Sequence, residues 1–370
     1  MTGKPGFFRS ILILMNVGVI VAFLITCFLP FINTAKYWFF AFPGLVFPLI
    51  LFALVSFIVL WAILKSRWWW ISLIALLLGF QQIAAVFAFN ISKEFSDTKK
   101  PHTLRVMQWN VSNFDEDNNT GEEGTGYRLR ILELIKNQNA DVLCIEEFFE
   151  SYDTKYFKPN ISALVNMGFQ YYYFIPTVSH ENDFKSGIAI FSKYPVIKSG
   201  NYSFTKSKIS EHLIYTDIKV KDKIFRIFAT HLQSVRFDAS DYQSLSRIKQ
   251  AEKPDLNGSK TIVSKLKRGY ELRYKQAELV SEKIKESPYP SIICGDFNDV
   301  PNSSAYFKIK GNLQDAFLKE GWGIGRTFLF ISPTLRIDYI LADKIFKVNQ
   351  FQIIHVPYSD HYPLITDLQY

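Results

Sequence analysis

Apolar residues are spread along this chain in two different ways. Up to about residue 92 they run almost without interruption, in segments 11–32, 38–64 and 68–89. Each is long enough to cross a hydrocarbon core as a helix. From residue 103 onward they come in short runs bounded by turn residues: LRVMQWN, DVLCIEE, YYYFIPTV, SGIAIFSKYPVI, HLIYTDIKV, KIFRIFATH, SIICGDFN, RIDYILAD and FQIIHVPYSDHYPLITDL. Runs of that length and β-branched content predict strands. Helical spacing is confined to a few places, one with Leu129, Leu132 and Ile135, another with Leu272, Ala277, Leu279 and Ile284 on one face. Between the two regimes, residues 93–102 are polar and carry Pro101, the composition of a linker. The expected organisation is therefore a membrane anchor over 1–92, a linker over 93–102 and a folded domain over 103–370. Many strands with intervening helices and a terminal strand predict an α+β domain of paired sheets covered by helices, rather than a regular βαβ barrel.

Charge separates the same two regions. The net +8 of the chain includes Lys4, Arg9, Lys36, Lys65 and Arg67 in the first 92 residues, where Asp and Glu are absent; 37 Lys and Arg then face 34 Asp and Glu. A surplus that small does not argue for nucleic acid without clustering. Trp38 and the triplet Trp68, Trp69 and Trp70 fall at span ends, where amphipathic rings favour the headgroup zone. A cleaved signal peptide is the alternative for the first segment, but no small-x-small site follows it and two more apolar segments do. The spans carry no ionisable residue, which argues against a transport pathway. The reading is an integral membrane protein of the cell or inner membrane. Lys4, Arg9, Lys65 and Arg67 would share one side and Lys36, Lys93, Lys99 and Lys100 the other. Lys99 and Lys100 lie farther from a span, so the first group is expected in the cytoplasm and the large domain outside it.

Three features invite chemistry and are read conservatively. Cys27 lies in the first apolar segment, and Cys144 and Cys294, in strand-like apolar runs, are expected in the core; none has zinc or disulfide spacing. The aromatic run Tyr171 to Phe174 reads as packing before base stacking. The stretch 244–268 carries Arg247, Lys249, Lys253, Lys260, Lys265, Lys267 and Arg268 against Glu252 and Asp255. It is expected as a solvated, mobile loop, with a phosphate-facing loop as the alternative.

The polar residues at the ends of the strand-like runs form a set. Asn110 ends LRVMQWN, Glu146 and Glu147 end DVLCIEE, His231 ends IFRIFATH, and Asp296 and Asn298 end IICGDFN. Asp338 follows LRI, and Asp360 and His361 sit in PYSDHYPL. Any one could cap a turn, but repeated placement at strand ends would bring them to one rim of a sandwich. Several carboxylates with two amides and no cysteine suit a hard, oxygen-seeking cation, Mg²⁺ or Mn²⁺, better than zinc. The set also holds what phosphate ester hydrolysis needs: charge neutralisation, a base for water, and donors for phosphoryl oxygens.

QWNVSNF, DVLCIEEF, SGIAIFSKYPV, FATHLQS, CGDFNDVP, RIDYIL and SDHYPLITDL, in this order, resemble the endonuclease/exonuclease/phosphatase superfamily. Deoxyribonuclease I, abasic-site endonucleases, sphingomyelinases and inositol-polyphosphate phosphatases share that fold. The resemblance runs from about Thr103 to the C-terminus and implies a four-layer α/β/β/α sandwich with its site at one edge. By the same resemblance Glu147 is the principal metal carboxylate, with Asn110 beside the metal and Asp360 a further ligand. Glu146 stands where many members have Gln; strand alternation points the two glutamates to opposite faces, and Glu147 is the one assigned to the metal. His361 resembles the catalytic histidine, with Asp338 fixing its tautomer. His231 would donate to a phosphoryl oxygen, and Asp296 with Asn298 would orient water and phosphate. The water's proton goes to either His361 or Asp296. The expectation is a membrane-anchored, metal-dependent phosphodiesterase. The basic stretch and the many nuclease members favour nucleic acid slightly as substrate, whereas the anchor favours a phospholipid or inositol-phosphate headgroup, as in a sphingomyelinase. The arginine-bearing motif of inositol phosphatases is absent at RIDYIL. A catalytically inactive, membrane-tethered binding module is the alternative from another class.

Overall fold

The computed structural model describes residues 6–91, 94–118, 126–153, 157–180, 184–205, 211–250 and 256–370. Lys4, residues 92–93 where the expected anchor meets the linker (with Lys93), and 251–255, with Glu252, Lys253 and Asp255 of the basic stretch, lie outside the described residues. The first apolar segment folds as helix α1 (Phe7–Phe28), prolonged to Phe31 by a 3-10 turn. The next two segments are each broken. Helix α2 (Ala41–Leu45), preceded by a 3-10 turn from Trp38, meets α3 (Phe47–Ile63) at 62°, and α4 (Trp68–Leu78) meets α5 (Phe80–Val86) at 59°. Among the described residues one helix is thus long and apolar enough to span a membrane, and the expected three result only if each bent pair counts as one span. Pro48 explains the first break, because it has no N–H for the carbonyl four residues back. At the second, Gly79 is pressed against Phe23 of α1, where a Cβ would come within 2.2 Å of the ring.

Among the described residues the strands are β1 (Ala88–Phe89), β2 (Thr103–Asn110), β3 (Val142–Ser151), β4 (Tyr171–His180), β5 (Phe184–Ser192), β6 (Val196–Ser203), β7 (His212–Val220), β8 (Lys223–His231), β9 (Ser291–Asp296), β10 (Gln314–Asp315), β11 (Trp322–Gly323), β12 (Asp338–Ala342), β13 (Lys347–Ile353) and β14 (Leu364–Gln369). Two six-stranded sheets result, in spatial order β13-β14-β2-β3-β5-β4 and β10-β12-β9-β8-β7-β6. Only the β2·β3 and β8·β9 pairs within them are parallel.

Period-2 alternation then generates layers. In β2, Leu104 and Val106 face the other sheet with Cys144, Ile190, Ile227, Ile292 and Cys294, while Met107 and Trp109 face outward. Helices α6 (Arg128–Gln138) and α7 (Ile161–Asn166) cover that outward side through Ile131, Leu132, Ile135 and Leu164. Helix α8 (Ala239–Lys249) packs on α9 (Leu256–Lys285), and α9 with α10 (Ser304–Lys310) covers the second sheet through Ala277, Val280, Ala305 and Tyr306. The result is the α/β/β/α sandwich. Cys144 and Cys294 are buried free thiols in its centre, as core residues should be.

Two local readings change. The basic stretch is largely helix: Ile262, Gly269, Tyr270 and Arg273 continue a buried stripe that the charges obscure. Lys265 is held by Asp238 and Asp241, and Lys267 lies 5.6 Å above the Trp38 ring. On the same helix the buried face runs through Tyr270, Arg273, Tyr274, Ala277 and Val280, which leaves Leu272 and Leu279 on its flank. The aromatic run on edge strand β4 does pack: Tyr172 stacks on Phe191 at 5.6 Å and Phe174 meets Phe148 edge-on at 5.3 Å.

Candidate active site

Strand register gathers the polar residues. Because β2 runs parallel to β3 and β8 to β9, Asn110 stands beside Glu146 and His231 beside Asp296. Antiparallel β12 starts with Asp338 opposite Asp296. His361 comes from the loop ahead of β14, bridged to Phe328 and fixed by Trp109 Nε1, which donates to its carbonyl at 2.9 Å. Glu147 arises differently. The β3·β5 ladder slips between Ile145 and Phe148, and Glu147 has φ of +50°. That bulge, strained for a non-glycine residue, shifts the phase of the alternation, so that Phe148 takes the outward apolar face and Glu147 lines the cavity while Glu146 stays inside.

Hydrogen bonds set the orientations. His361 Nδ1 lies 2.9 Å from Asp338 Oδ2, so Nε2 faces Asp296 Oδ2 at 3.7 Å, and His231 Nε2 faces the same oxygen at 3.6 Å. Asp296 Oδ1 accepts from the Asn298 backbone N–H at 2.7 Å, and the Asn298 amide donates to the Leu232 carbonyl at 3.0 Å. Asn110 Nδ2 bridges Glu147 at 3.2 Å and Asp296 at 3.3 Å, while its Oδ1 accepts from Ser112 N–H. Asn110 therefore ties two carboxylates together. Gln108 Nε2 donates to Glu146 at 2.7 Å and to Asp338 at 3.1 Å, extending the chain that ends on His361.

Burial and charge then compete. Burial pushes Asp296 up to about 6, against the nearby His361. For His361 burial opposes protonation, but Asp338 and Asp296 outweigh it and hold the imidazole well above the ordinary histidine range. His231 is likewise raised, burial being overcome by Glu211, Asp296 and Glu147. Asp360 is raised by burial and by Glu147, with His361 working the other way.

Glu147, His231, Asp296, Asn298, Asp360 and His361 all line one cavity, with Asn110 and Asp338 bonded directly behind them. The structure thus brings every residue of the sequence-derived set together. One grouping, Asp296, Asp338 and His361, has ligand atoms within 4.8 Å of one another, close enough for a metal. Both Asp338 oxygens, however, are already taken by His361 and Gln108, which makes that group a positioned His–Asp pair. Glu147 and Asp360 both face the cavity, and the Glu147 carboxylate disfavours ionisation of Asp360.

Sequence reasoning missed Gln108 and the apolar side of the cavity. Gln108 had a signal, a polar residue in step with Asn110 inside an apolar strand. The apolar wall had none, since its residues come from distant segments.

A family model described as the Endonuclease/Exonuclease/phosphatase family matches residues 107–361, and one for a domain of unknown function matches residues 9–86. Curated relatives include two sphingomyelinase C proteins of Bacillus cereus. One is 27% identical over 155 residues, covering 38% of this chain and 46% of the relative. Another is 26% identical over 168 residues, covering 41% and 50%. The chain spans about half the length of these relatives. Similar solved structures include an endonuclease/exonuclease/phosphatase of Beutenbergia cavernae, with TM-score 0.52, 19% identity and 72% of each chain covered. The human Nocturnin catalytic domain with bound sulfate has TM-score 0.50 and 21% identity over 73% of this chain and 95% of that one. The mannosyl-6-phosphatase of Bacteroides thetaiotaomicron has TM-score 0.50 and 19% identity over 72% and 100%. At these identities the structural likeness concerns the fold alone.

Proposed function

The chain belongs to the endonuclease/exonuclease/phosphatase family, hydrolases of phosphate esters, and from that premise we propose a divalent-metal-dependent phosphodiesterase held at a membrane by residues 1–92. Residues 93–102 serve as linker and 103–370 as the catalytic domain. The observation that carries the reading is the strand-end cluster around Asp296, faced by both imidazoles within 3.7 Å.

In this mechanism the Asp338–His361 pair holds Nε2 toward the phosphoryl group, and protonated His361 and His231 donate to phosphoryl oxygens. Asp296 takes the proton of the attacking water: its oxygen faces the histidines, and burial brings its pKa to about 6, within range of neutral pH. Asn298 and Asn110 keep that carboxylate oriented. Mg²⁺ or Mn²⁺ held by Glu147 and Asp360 would neutralise charge on the phosphoryl and leaving oxygens.

For the substrate, an amphiphilic phosphodiester at a membrane surface is favoured over nucleic acid. The cavity wall is largely hydrocarbon, and Lys265 and Lys267 of the basic stretch are engaged within the protein. The names of the sphingomyelinase C relatives point the same way.

Hydrolysis of bis-p-nitrophenyl phosphate by the full chain in detergent with Mg²⁺ or Mn²⁺, beside His361→Ala and Glu147→Ala, tests the reaction. Loss in both variants supports it; equal rates in all three proteins favour the inactive binding module. Nucleic acid as substrate is supported instead if DNA or RNA is cut and the rate falls steeply with salt.

A further inference from the structure

The cavity continues beyond the phosphoryl end. It measures about 250 Å³, and past Asp296 and His361 its wall is formed by Phe328, Leu335 and Ile337 ahead of β12, Leu245 of α8 and Ile262 of α9. One further wall residue, Leu45, is the last of helix α2 in the apolar N-terminal region. Its approach is built into the fold. Leu45 packs on Val300, Phe328, Leu335 and Ile337. Gly44 lies so near the Asn302 carbonyl that a Cβ would stand 2.6 Å from its oxygen, so that only glycine permits the contact. Phe42 meets Tyr270 edge-on at 6.0 Å.

A hydrocarbon wall next to a phosphoryl site is unfavourable when left to water and contributes nothing to holding a polyanion. It suits a molecule with a phosphate ester at one end and an apolar chain at the other. The element that supplies Leu45 is also half of the bent pair 38–63, one of the stretches apolar enough to enter a bilayer. Lipid hydrocarbon and cavity wall therefore meet on one helix.

We propose that the apolar arm is a subsite for the hydrocarbon part of an amphiphilic phosphoester, and that Leu45 helps determine selectivity for it. The proposal rests on the phosphoesterase reading and adds that the N-terminal region forms part of the substrate pocket as well as the anchor.

The test uses the full chain in detergent with Mg²⁺ and a series of p-nitrophenyl alkyl phosphodiesters from methyl to octyl, each below its critical micelle concentration. In the wild type kcat/KM rises about threefold per methylene over the first few carbons, as burial of each CH₂ predicts. In Leu45→Glu the octyl-to-methyl ratio of kcat/KM falls at least about tenfold, because a carboxylate now faces the chain. Leu45→Met, which keeps the wall apolar, retains the wild-type ratio. Each ratio is taken within one preparation, so a partly folded sample does not imitate the effect. A flat wild-type series, or a Leu45→Glu ratio equal to wild type, overturns the proposal. Failure of the phosphoesterase reading looks different, since no ester at all is then turned over. In that case calorimetric titration with octyl and methyl phosphonate reads the subsite directly: tighter octyl binding upholds it and equal affinities overturn it.

Discussion

The reacting end of the cavity and its apolar arm are built by different means. At the reacting end the functional groups sit at strand ends, and ladder registers hold Asn110 beside Glu146 and both His231 and Asp338 opposite Asp296. Side-chain hydrogen bonds then fix their orientation before any substrate arrives. The arm has no ladder. Leu45, Leu245, Ile262 and Leu335 meet because three separate helical elements dock beside the loop ahead of β12. Damage to the reacting end should therefore depress every substrate alike, whereas damage to the arm should sort one substrate from another.

Removing divalent cations is the harshest way to break that contrast. Exhaustive chelation should lower hydrolysis of short and long esters equally, by about a thousandfold or more, with recovery on adding Mg²⁺ or Mn²⁺. Activity that survives chelation would remove Glu147 and Asp360 from the role given to them. Next comes Asp338→Asn. The substitution keeps the size of the side chain but takes away the charge that orients and stabilises the His361 imidazolium. A fall in kcat of about a hundredfold with little change in KM is expected, and it should be the same for methyl and octyl esters. A change confined to KM would mean that the pair holds substrate rather than the transition state. Beside the arm, Phe330 is 53% exposed and packs its ring against two cavity-lining residues, Phe328 and Tyr242. Phe330→Ala should lower kcat/KM for the octyl ester by only about threefold, the effect of roughly one exposed CH₂.

The same contrast explains what the sequence disclosed. The reacting end was legible because strand ends can be found from short apolar runs, and Asp, Asn and His there stand out against them; the β8·β9 ladder places the Asp of GDFN, and SDH sits in the loop ahead of β14. The sandwich was legible for a related reason, since alternation in LRVMQWN assigns Val106 and Trp109 to opposite faces. Gln108 was overlooked because its partners, Glu146 and Asp338, are 38 and 230 residues away. The bends at Val46 and Gly79 left no break in hydropathy, so segments 38–64 and 68–89 read as straight spans. The first half of α9 was hidden by its lysines, although Ile262, Gly269 and Tyr270 already marked the buried face. Leu45 could not be assigned at all, because one leucine among many apolar neighbours carries no mark of the loop it will meet.

The smallest effect expected discriminates most sharply within the reacting end. Glu146 and Glu147 are adjacent and chemically identical, yet the bulge gives them opposite environments. Glu146 is fully buried; burial outweighs its hydrogen bond from Gln108 and raises the carboxyl well above its usual range, which favours the uncharged form. Glutamine has the same size and no charge, and its carbonyl can still accept from Gln108. Glu146→Gln should therefore keep kcat/KM within about twofold and Tm within about 3 °C of wild type. Glu147→Gln, by contrast, removes a charge that faces the cavity and should lower activity by about a hundredfold, with partial rescue at high Mn²⁺. If the two variants lose activity equally, the bulge does not separate the glutamates and the inner one is ionised. If their order is reversed, the cation binds on the Gln108 side and Glu147 is only a strained turn residue.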